Sequence, residues 1–171
     1  MKSSNSGYTV RCIICDTVND ERITSTYCTN CGGVLTVDYK EAREEIQYPL
    51  KNIIPDPLKT DYTSLKRLER LSDIYEADLY AKLELENPTG CFKDRGSYVE
   101  VLKAIELGAD AICLASTGNM AASVAAYACY FKIPCFVFVP EQTPDAKLAQ
   151  STIYDATIIR IKGDFRTCEL P

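Results

Sequence analysis

Four cysteines near the beginning of the chain have the spacing of a metal site. They form two C-x2-C pairs with twelve residues between them, and they are Cys12, Cys15, Cys28 and Cys31. Two residues between thiols let both sulfurs bind one tetrahedral ion from a tight turn, and Gly32 and Gly33 suit such a turn. Because four thiolates complete the coordination of zinc, we predict a structural Zn2+ site rather than a catalytic one. The alternatives are iron in place of zinc, or four thiols that are unligated or redox-paired.

A lysine lies where a helix is predicted to begin, in the stretch NPTGCFKDRG at residues 87–96. The positive end of the helix macrodipole mildly disfavours a cation there, so Lys93 is either a surface charge or a residue placed for chemistry. The same dipole and partial burial would favour the neutral amine, which is the form that attacks an aldehyde. Phe92 is expected to help exclude water from it. In a sequence without histidine, Lys93 is also a candidate for moving protons.

A second polar stretch lies between an apolar strand and an apolar helix, and it comprises Ser116, Thr117, Gly118 and Asn119. A loop in this place presents backbone N–H groups at the positive end of a helix, where an anion can bind. Gly118 permits close approach of a ligand to the backbone. Ordinary capping of the helix by a serine, threonine or asparagine is the alternative, and the two roles are compatible.

The elements that carry these residues follow from the hydrophobic periodicity after residue 63. Four helices are predicted: 64–75 with Leu65, Leu68, Leu71 and Ile74 on one face, one with Tyr98, Leu102 and Ile105 that ends at Gly108, an uncharged one at 119–131, and one at 143–154. Strands are predicted at 77–85, 111–116, 135–140 and 156–162. Because helices and strands alternate and the later strands are apolar, we predict an α/β fold with a parallel sheet covered on both faces. Three further cysteines in apolar segments are expected in the core, namely Cys113, Cys129 and Cys135.

Three regions are expected along the chain. Residues 1–40 form the small zinc ribbon, with strand-like segments at 8–15 and 32–39. Residues 41–63 contain three prolines and no clear period, which predicts an extended linker. Residues 64–171 form the α/β body.

The composition limits the function. The net charge of −5 and the pI of about 4.9 argue against nucleic acid and anionic membranes as partners, and the ribbon has no basic patch. Neither an apolar leader nor a run long enough to span a bilayer is present. Nine cysteines, an odd number without a secretion signal, fit a reducing compartment, so we expect a cytoplasmic protein.

Together, the stretches ENPTGCFKDRG and LASTGNMAASVAAYA resemble the pyridoxal-phosphate enzymes with the tryptophan-synthase-β type of fold, known as fold type II. The threonine synthases, some of which carry a cysteine-paired ribbon ahead of the catalytic body, are the most similar. The resemblance extends from about residue 8 to the end of the chain. Cys91 stands where the family usually has serine.

The resemblance implies a role for each motif residue. Lys93 would be the catalytic residue and hold pyridoxal 5'-phosphate as an imine, with Phe92 beside it. Asn119 would hydrogen-bond the ring hydroxyl of the cofactor. The substrate carboxylate would be received by Ser116, Thr117, Gly118 and Asn119. The reaction implied is that of a lyase, which converts O-phospho-L-homoserine and water to L-threonine and phosphate.

Part of the family's pattern has no counterpart in the sequence. The later glycine-rich loop for the cofactor phosphate is absent, as is the polar residue near the pyridine nitrogen. We therefore expect an incomplete parallel sheet and an N-terminal fragment of such an enzyme, which would form homo-oligomers or associate with the missing half. The alternatives are a threonine dehydratase or another β-replacing relative and, in a different class, a non-catalytic zinc-stapled binding module.

Overall fold

The computed structural model describes residues 8–20, 25, 27–39 and 63–169. The chain divides into two compact units, the N-terminal unit of residues 1–51 and the C-terminal unit of residues 52–171. The predicted linker lies outside the described residues except for its last position, Thr63.

The N-terminal unit contains a small antiparallel sheet. Its strands are β1 (Tyr8–Cys12), β2 (Val18–Asn19) and β3 (Leu35–Tyr39), with β1 in the centre. Val10 lies opposite Val37 and Cys12 lies opposite Leu35, so one face of the sheet is apolar and carries a cysteine. Three strands this short bury little apolar surface, and the unit therefore needs another source of stability.

The described part of the C-terminal unit begins with an element that the leucine spacing did not predict. The predicted helix at 64–75 is wrong in its first half, because β4 (Leu65–Arg67) pairs antiparallel with β5 (Tyr80–Lys82) and only α1 (Glu69–Tyr75) is helical. A spacing of three residues fits one face of a helix, but Leu65 is 64% exposed and lies in a strand. A 3₁₀ turn at Glu84–Glu86 follows β5.

Helices and strands then alternate as predicted. The elements are α2 (Asp94–Glu106), β6 (Ile112–Ala115), α3 (Asn119–Phe131), β7 (Cys135–Pro140), α4 (Asp145–Ile153) and β8 (Thr157–Ile161). The three strands are parallel in the order β6-β7-β8, which confirms the predicted parallel sheet. Gly108 ends α2 at a φ of 76°, and the N–H of Ala109 donates to the carbonyl of Ala104, as in a Schellman motif.

Helix α3 forms the centre of the core. Its alanines allow α2, α4 and β7 to pack closely around it, and Ala125, Tyr127 and Ala128 are fully buried. On β7, the buried side chains alternate with half-buried ones, so Val137 and Val139 join the same cluster. The apolar character of α3 thus reflects burial on nearly all sides.

Two predictions about the core and the end of the chain need correction. Cys135 is buried as predicted, but Cys113 and Cys129 are exposed, since Cys113 points away from Ile112 and Leu114 on β6. A short helix, α5 (Phe165–Glu169), follows β8 and was not predicted. Asp164 caps it by accepting hydrogen bonds from the N–H and hydroxyl of Thr167 at 3.1 Å each.

Candidate functional site

Lys93 lies at the beginning of α2 and is half-buried. Its carbonyl accepts hydrogen bonds from the N–H groups of Gly96 and Ser97 at 3.0 and 2.9 Å, so the lysine is tied into the first turn. The ammonium nitrogen lies 4.8 Å from the centroid of the Phe92 ring. Phe92 itself is 56% exposed, and its role in excluding water from Lys93 stays a prediction.

Asp94 anchors the loop that carries Lys93. Its carboxylate is fully buried and accepts hydrogen bonds from the N–H and hydroxyl of Thr89, at 2.7 and 2.6 Å, and from the Ser123 hydroxyl at 2.5 Å. Gln150 on α4 donates to the Thr89 carbonyl at 3.0 Å. The buried anion also lies at the positive end of α2, which favours it. The loop before Lys93 is therefore fixed to both α3 and α4.

Arg95 anchors the other side of Lys93. It donates to both carboxylate oxygens of Glu84, at 2.9 and 3.1 Å, and to the Thr63 hydroxyl at 2.9 Å. This two-point contact holds the pKa of Glu84 below its usual value, with a further contribution from Asn87. Lys93 thus stands between two residues whose side chains are held by separate parts of the C-terminal unit.

The structure brings the two predicted loops together. The Cys91 thiol, buried beside Lys93, lies 3.9 Å from the carbonyl of Asn119, where α3 begins. The Ser116 hydroxyl oxygen accepts hydrogen bonds from the N–H groups of Gly118 and Ala121, at 3.4 and 3.2 Å. Space is open where a Cβ on Gly118 would lie, so a ligand can approach the backbone there.

These residues fit part of pyridoxal phosphate. An amine is available for its aldehyde, and the exposed Asn119 can donate or accept a hydrogen bond at the adjacent helix end. The first turn of α3 also leaves N–H groups without an intrahelical acceptor, which suits an anionic group.

Sequence reasoning missed the polar residues beneath the site, namely Thr89, Ser123, Tyr127 and Gln150. Tyr127 is fully buried, and burial and then the negative charge of Asp94 raise its pKa well above the usual value. Its phenol therefore stays protonated. Of these residues, Ser123 could have been found from the sequence, because a polar residue in an otherwise apolar helix such as α3 is typical of a buried hydrogen bond.

Substitution of the buried carboxylate is expected to destabilise the C-terminal unit. Asp94→Asn places an NH2 group among hydrogen-bond donors, so we expect the free energy of unfolding to fall by about 3 kcal/mol. Amide hydrogen exchange of α3 in increasing urea measures the loss. Asp110→Asn, at an exposed position, should change the value by less than about 0.5 kcal/mol. Equal protection in the two variants would contradict a supporting role for Asp94.

The four predicted metal ligands converge in the N-terminal unit. All four sulfurs lie within 4.8 Å of one another, with Cys12 and Cys31 at 3.5 Å and Cys15 and Cys28 at 3.7 Å. Sulfurs on a tetrahedral zinc ion lie about 3.8 Å apart, given Zn–S bonds of about 2.3 Å. The set therefore fits one tetrahedral ion. It is the one group of this kind among the residues that the structure describes.

Two equivalent turns, here called the first knuckle (residues 12–17) and the second knuckle (residues 28–33), present the sulfurs. In each, the residue after the second cysteine has a left-handed backbone: φ is 60° at Asp16 and 71° at Gly32. In each knuckle, a backbone N–H also donates to the sulfur of the first cysteine. The N–H of Ile14 donates to Cys12 and the N–H of Asn30 donates to Cys28, both at 3.4 Å. This repeated geometry is typical of a zinc knuckle.

The electrostatics of the sulfurs favour a cation. A hydrogen bond with the Thr17 hydroxyl is the main factor that lowers the pKa of Cys15 to about 5, whereas its neighbour Cys15 raises the pKa of Cys31 to about 12. The raised pKa of Cys31 reflects the cost of forming a second thiolate beside Cys15. A bound metal ion would relieve this conflict, because it stabilises all four thiolates at once.

Comparison with known proteins identifies the class. The sequence model of the family described as "pyridoxal-phosphate dependent enzyme" matches residues 58–170. In fold, the chain is similar to the processed form of threonine deaminase isoform 2 from Solanum lycopersicum, with a TM-score of 0.57 and 25% identity, over 61% of this chain and 29% of that one. The chain therefore belongs to the family of pyridoxal-phosphate dependent enzymes, and its parallel sheet is part of their fold type II.

Within that family, the sequence is similar to threonine synthases. It is 44% identical to the threonine synthase of Bacillus sp. (strain ULM1) over 119 residues. This aligned segment covers 68% of this chain and 34% of the relative. It is 34% identical to the threonine synthase of Methanocaldococcus jannaschii over 178 residues. This second aligned segment covers 91% of this chain and 44% of the relative. The chain thus spans less than half the length of these curated relatives.

No helix in the described part of the chain is both long and apolar enough to cross a membrane.

Proposed function

We propose that this chain supplies the lysine-bearing part of a threonine-synthase-like lyase that acts on O-phospho-L-homoserine, a small-molecule amino-acid substrate. The contact between the Cys91 thiol and the Asn119 carbonyl carries the proposal, since it joins the lysine loop to the N-terminus of α3. The similarity of the chain to the two threonine synthases described above supports the same substrate.

Each residue has a defined task in this proposal. Lys93 would hold the cofactor at its aldehyde through the side-chain amine, and the same amine, when free, would move protons at the substrate carbons. Pyridoxal phosphate, when bound, supplies the electron sink that makes those protons acidic. Phe92 lies against the lysine, and Asn119 hydrogen-bonds the cofactor's ring hydroxyl. The substrate carboxylate binds at the α3 N-terminus, between Ser116, Thr117, Gly118 and Asn119.

The four cysteines are proposed to hold one structural Zn2+ ion. Because four thiolates fill the coordination sphere, the ion takes no part in the lyase reaction and instead stabilises the ribbon. Residues 1–40 then act as a folding module, residues 41–63 as its linker and residues 64–171 as the catalytic part.

The test is to supply O-phospho-L-homoserine and pyridoxal phosphate to the chain. One mixture contains the chain alone, and another adds the portion of the M. jannaschii enzyme that this chain does not cover. Formation of threonine and phosphate in equal amounts supports the proposal. A parallel mixture contains threonine in place of O-phospho-L-homoserine, and its conversion to 2-oxobutanoate and ammonia would instead support a dehydratase, in line with the structural similarity to a threonine deaminase. If neither reaction occurs and the cofactor does not attach to the chain, the result would favour a non-catalytic module.

A further inference from the structure

Asn19 is a buried polar side chain between the two knuckles. It lies in β2, opposite Val10 of β1, and is 7% exposed. Its Oδ1 accepts hydrogen bonds from the N–H and the hydroxyl of Thr29, at 3.1 and 3.0 Å. Its Nδ2 donates to the carbonyl of Thr17 at 3.0 Å and lies 3.6 Å from the sulfur of Cys28. Asn19 therefore joins the end of the first knuckle to the beginning of the second.

The hydrogen-bond partners fix the orientation of this amide. A backbone N–H can only donate, so the N–H of Thr29 requires Oδ1 of Asn19 on its side. A backbone carbonyl can only accept, so Thr17 requires the NH2 group on the other side. The amide hydrogens are consequently directed to the side where the Cys28 sulfur lies.

We propose that Asn19 is a positioning residue of the metal site, acting on the metal through Cys28. Its N–H group stabilises the thiolate form of that sulfur, and its bonds to Thr17 and Thr29 set the separation of the two knuckles. The proposal rests on the proposed function of the four cysteines as zinc ligands. Partners of this kind orient the ligands and adjust their donor strength, and their loss commonly weakens metal binding by about 10- to 100-fold.

Asn30 provides a matched comparison. Its Nδ2 lies 3.7 Å from the sulfur of Cys15 and 3.4 Å from the Thr17 hydroxyl, but its side chain is exposed. Water competes for an exposed amide and screens a charge placed there. The same substitution at the two asparagines therefore separates the effect of a buried contact from that of an added negative charge.

The experiment uses the full chain with Asn19→Asp or Asn30→Asp. Aspartate keeps an acceptor for Thr29, but it places an anionic oxygen against the Thr17 carbonyl and the Cys28 sulfur. Zinc affinity is measured by competition with a chelator. Co2+ is then substituted for zinc, and the thiolate-to-cobalt charge-transfer band is recorded. Hydrogen exchange of the β1 amides at saturating zinc verifies that each variant retains the fold.

The proposal predicts one metal ion per wild-type chain, and zinc binding about 10- to 100-fold weaker in Asn19→Asp. The charge-transfer band should move to lower energy, since a thiolate without its N–H partner gives up electrons more readily. Asn30→Asp should lose less than about fivefold. Weaker binding with an unchanged band would show a role in packing alone and overturn the proposal, as would equal losses at both positions. A wild-type chain that binds no metal overturns the zinc site itself, together with this proposal.

Discussion

Lys93→Ala is expected to abolish covalent binding of pyridoxal phosphate to the chain. The wild-type protein, titrated with the cofactor, should develop the visible absorbance of a lysine-bound complex, and the variant should show only the spectrum of the free cofactor. The physical reason is that a methyl group cannot attack the aldehyde. Lyase turnover should fall by at least about 10²- to 10⁴-fold, the usual effect of a positioned acid–base group.

The matched control is Lys103→Ala, in the same helix α2. Lys103 forms an ion pair with Glu106 at 3.0 Å on the helix surface, and its loss should leave cofactor binding unchanged. Equal absorbance in Lys93→Ala and the wild type would show that another lysine binds the cofactor, which would contradict the role given to Lys93.

Removal of the metal is expected to unfold residues 8–39 while the C-terminal unit stays folded. Structural zinc sites contribute about 10–16 kcal/mol of apparent binding free energy, far more than three short strands gain from burial. The C-terminal unit has its own core around α3 and is expected to remain folded. Hydrogen exchange after addition of a strong chelator measures both units in one experiment.

Cys28→Ser should reproduce the effect of the chelator, since it removes one of the buried cysteines that are proposed to bind the ion. The exposed Cys113→Ser is the control and should retain both the metal and the protection of β1. If the β1 and β3 amides stay protected in protein shown to be free of metal, the sheet is stable without the ion. This result would contradict the proposed structural role of the metal.

The strongest sequence patterns predicted the fold correctly. The bounds of α3 and β7 agree with prediction at both ends, because an uncharged helix and an apolar strand are signals that tertiary context rarely reverses. The prediction for the region around β4 was wrong because the conformation there depends on a long-range contact. The leucines at 65 and 68 fit a helix, yet pairing with β5, a contact across 13 or more residues, decided the conformation of the first half.

Within the candidate site, sequence reasoning singled out the two loops that the structure brings together and missed the buried residues that support them. The NPTGCFKDRG and STGN stretches were recognised from their order and composition. Asp94 could be taken from the sequence as a surface charge in the first helical turn, but its carboxylate is fully buried and bonded to Thr89 and Ser123. Whether a carboxylate in a first helical turn is buried depends on contacts between distant segments, and one sequence does not specify them.

The most direct test of the central claim is to locate the cofactor on the chain. The full protein is incubated with pyridoxal phosphate, reduced with borohydride, digested with a protease and analysed by peptide mass spectrometry. We predict one pyridoxyl group per chain, on the peptide that contains Lys93, and its loss in Lys93→Ala. Modification spread over the exposed lysines without preference, or none at Lys93, would contradict the account.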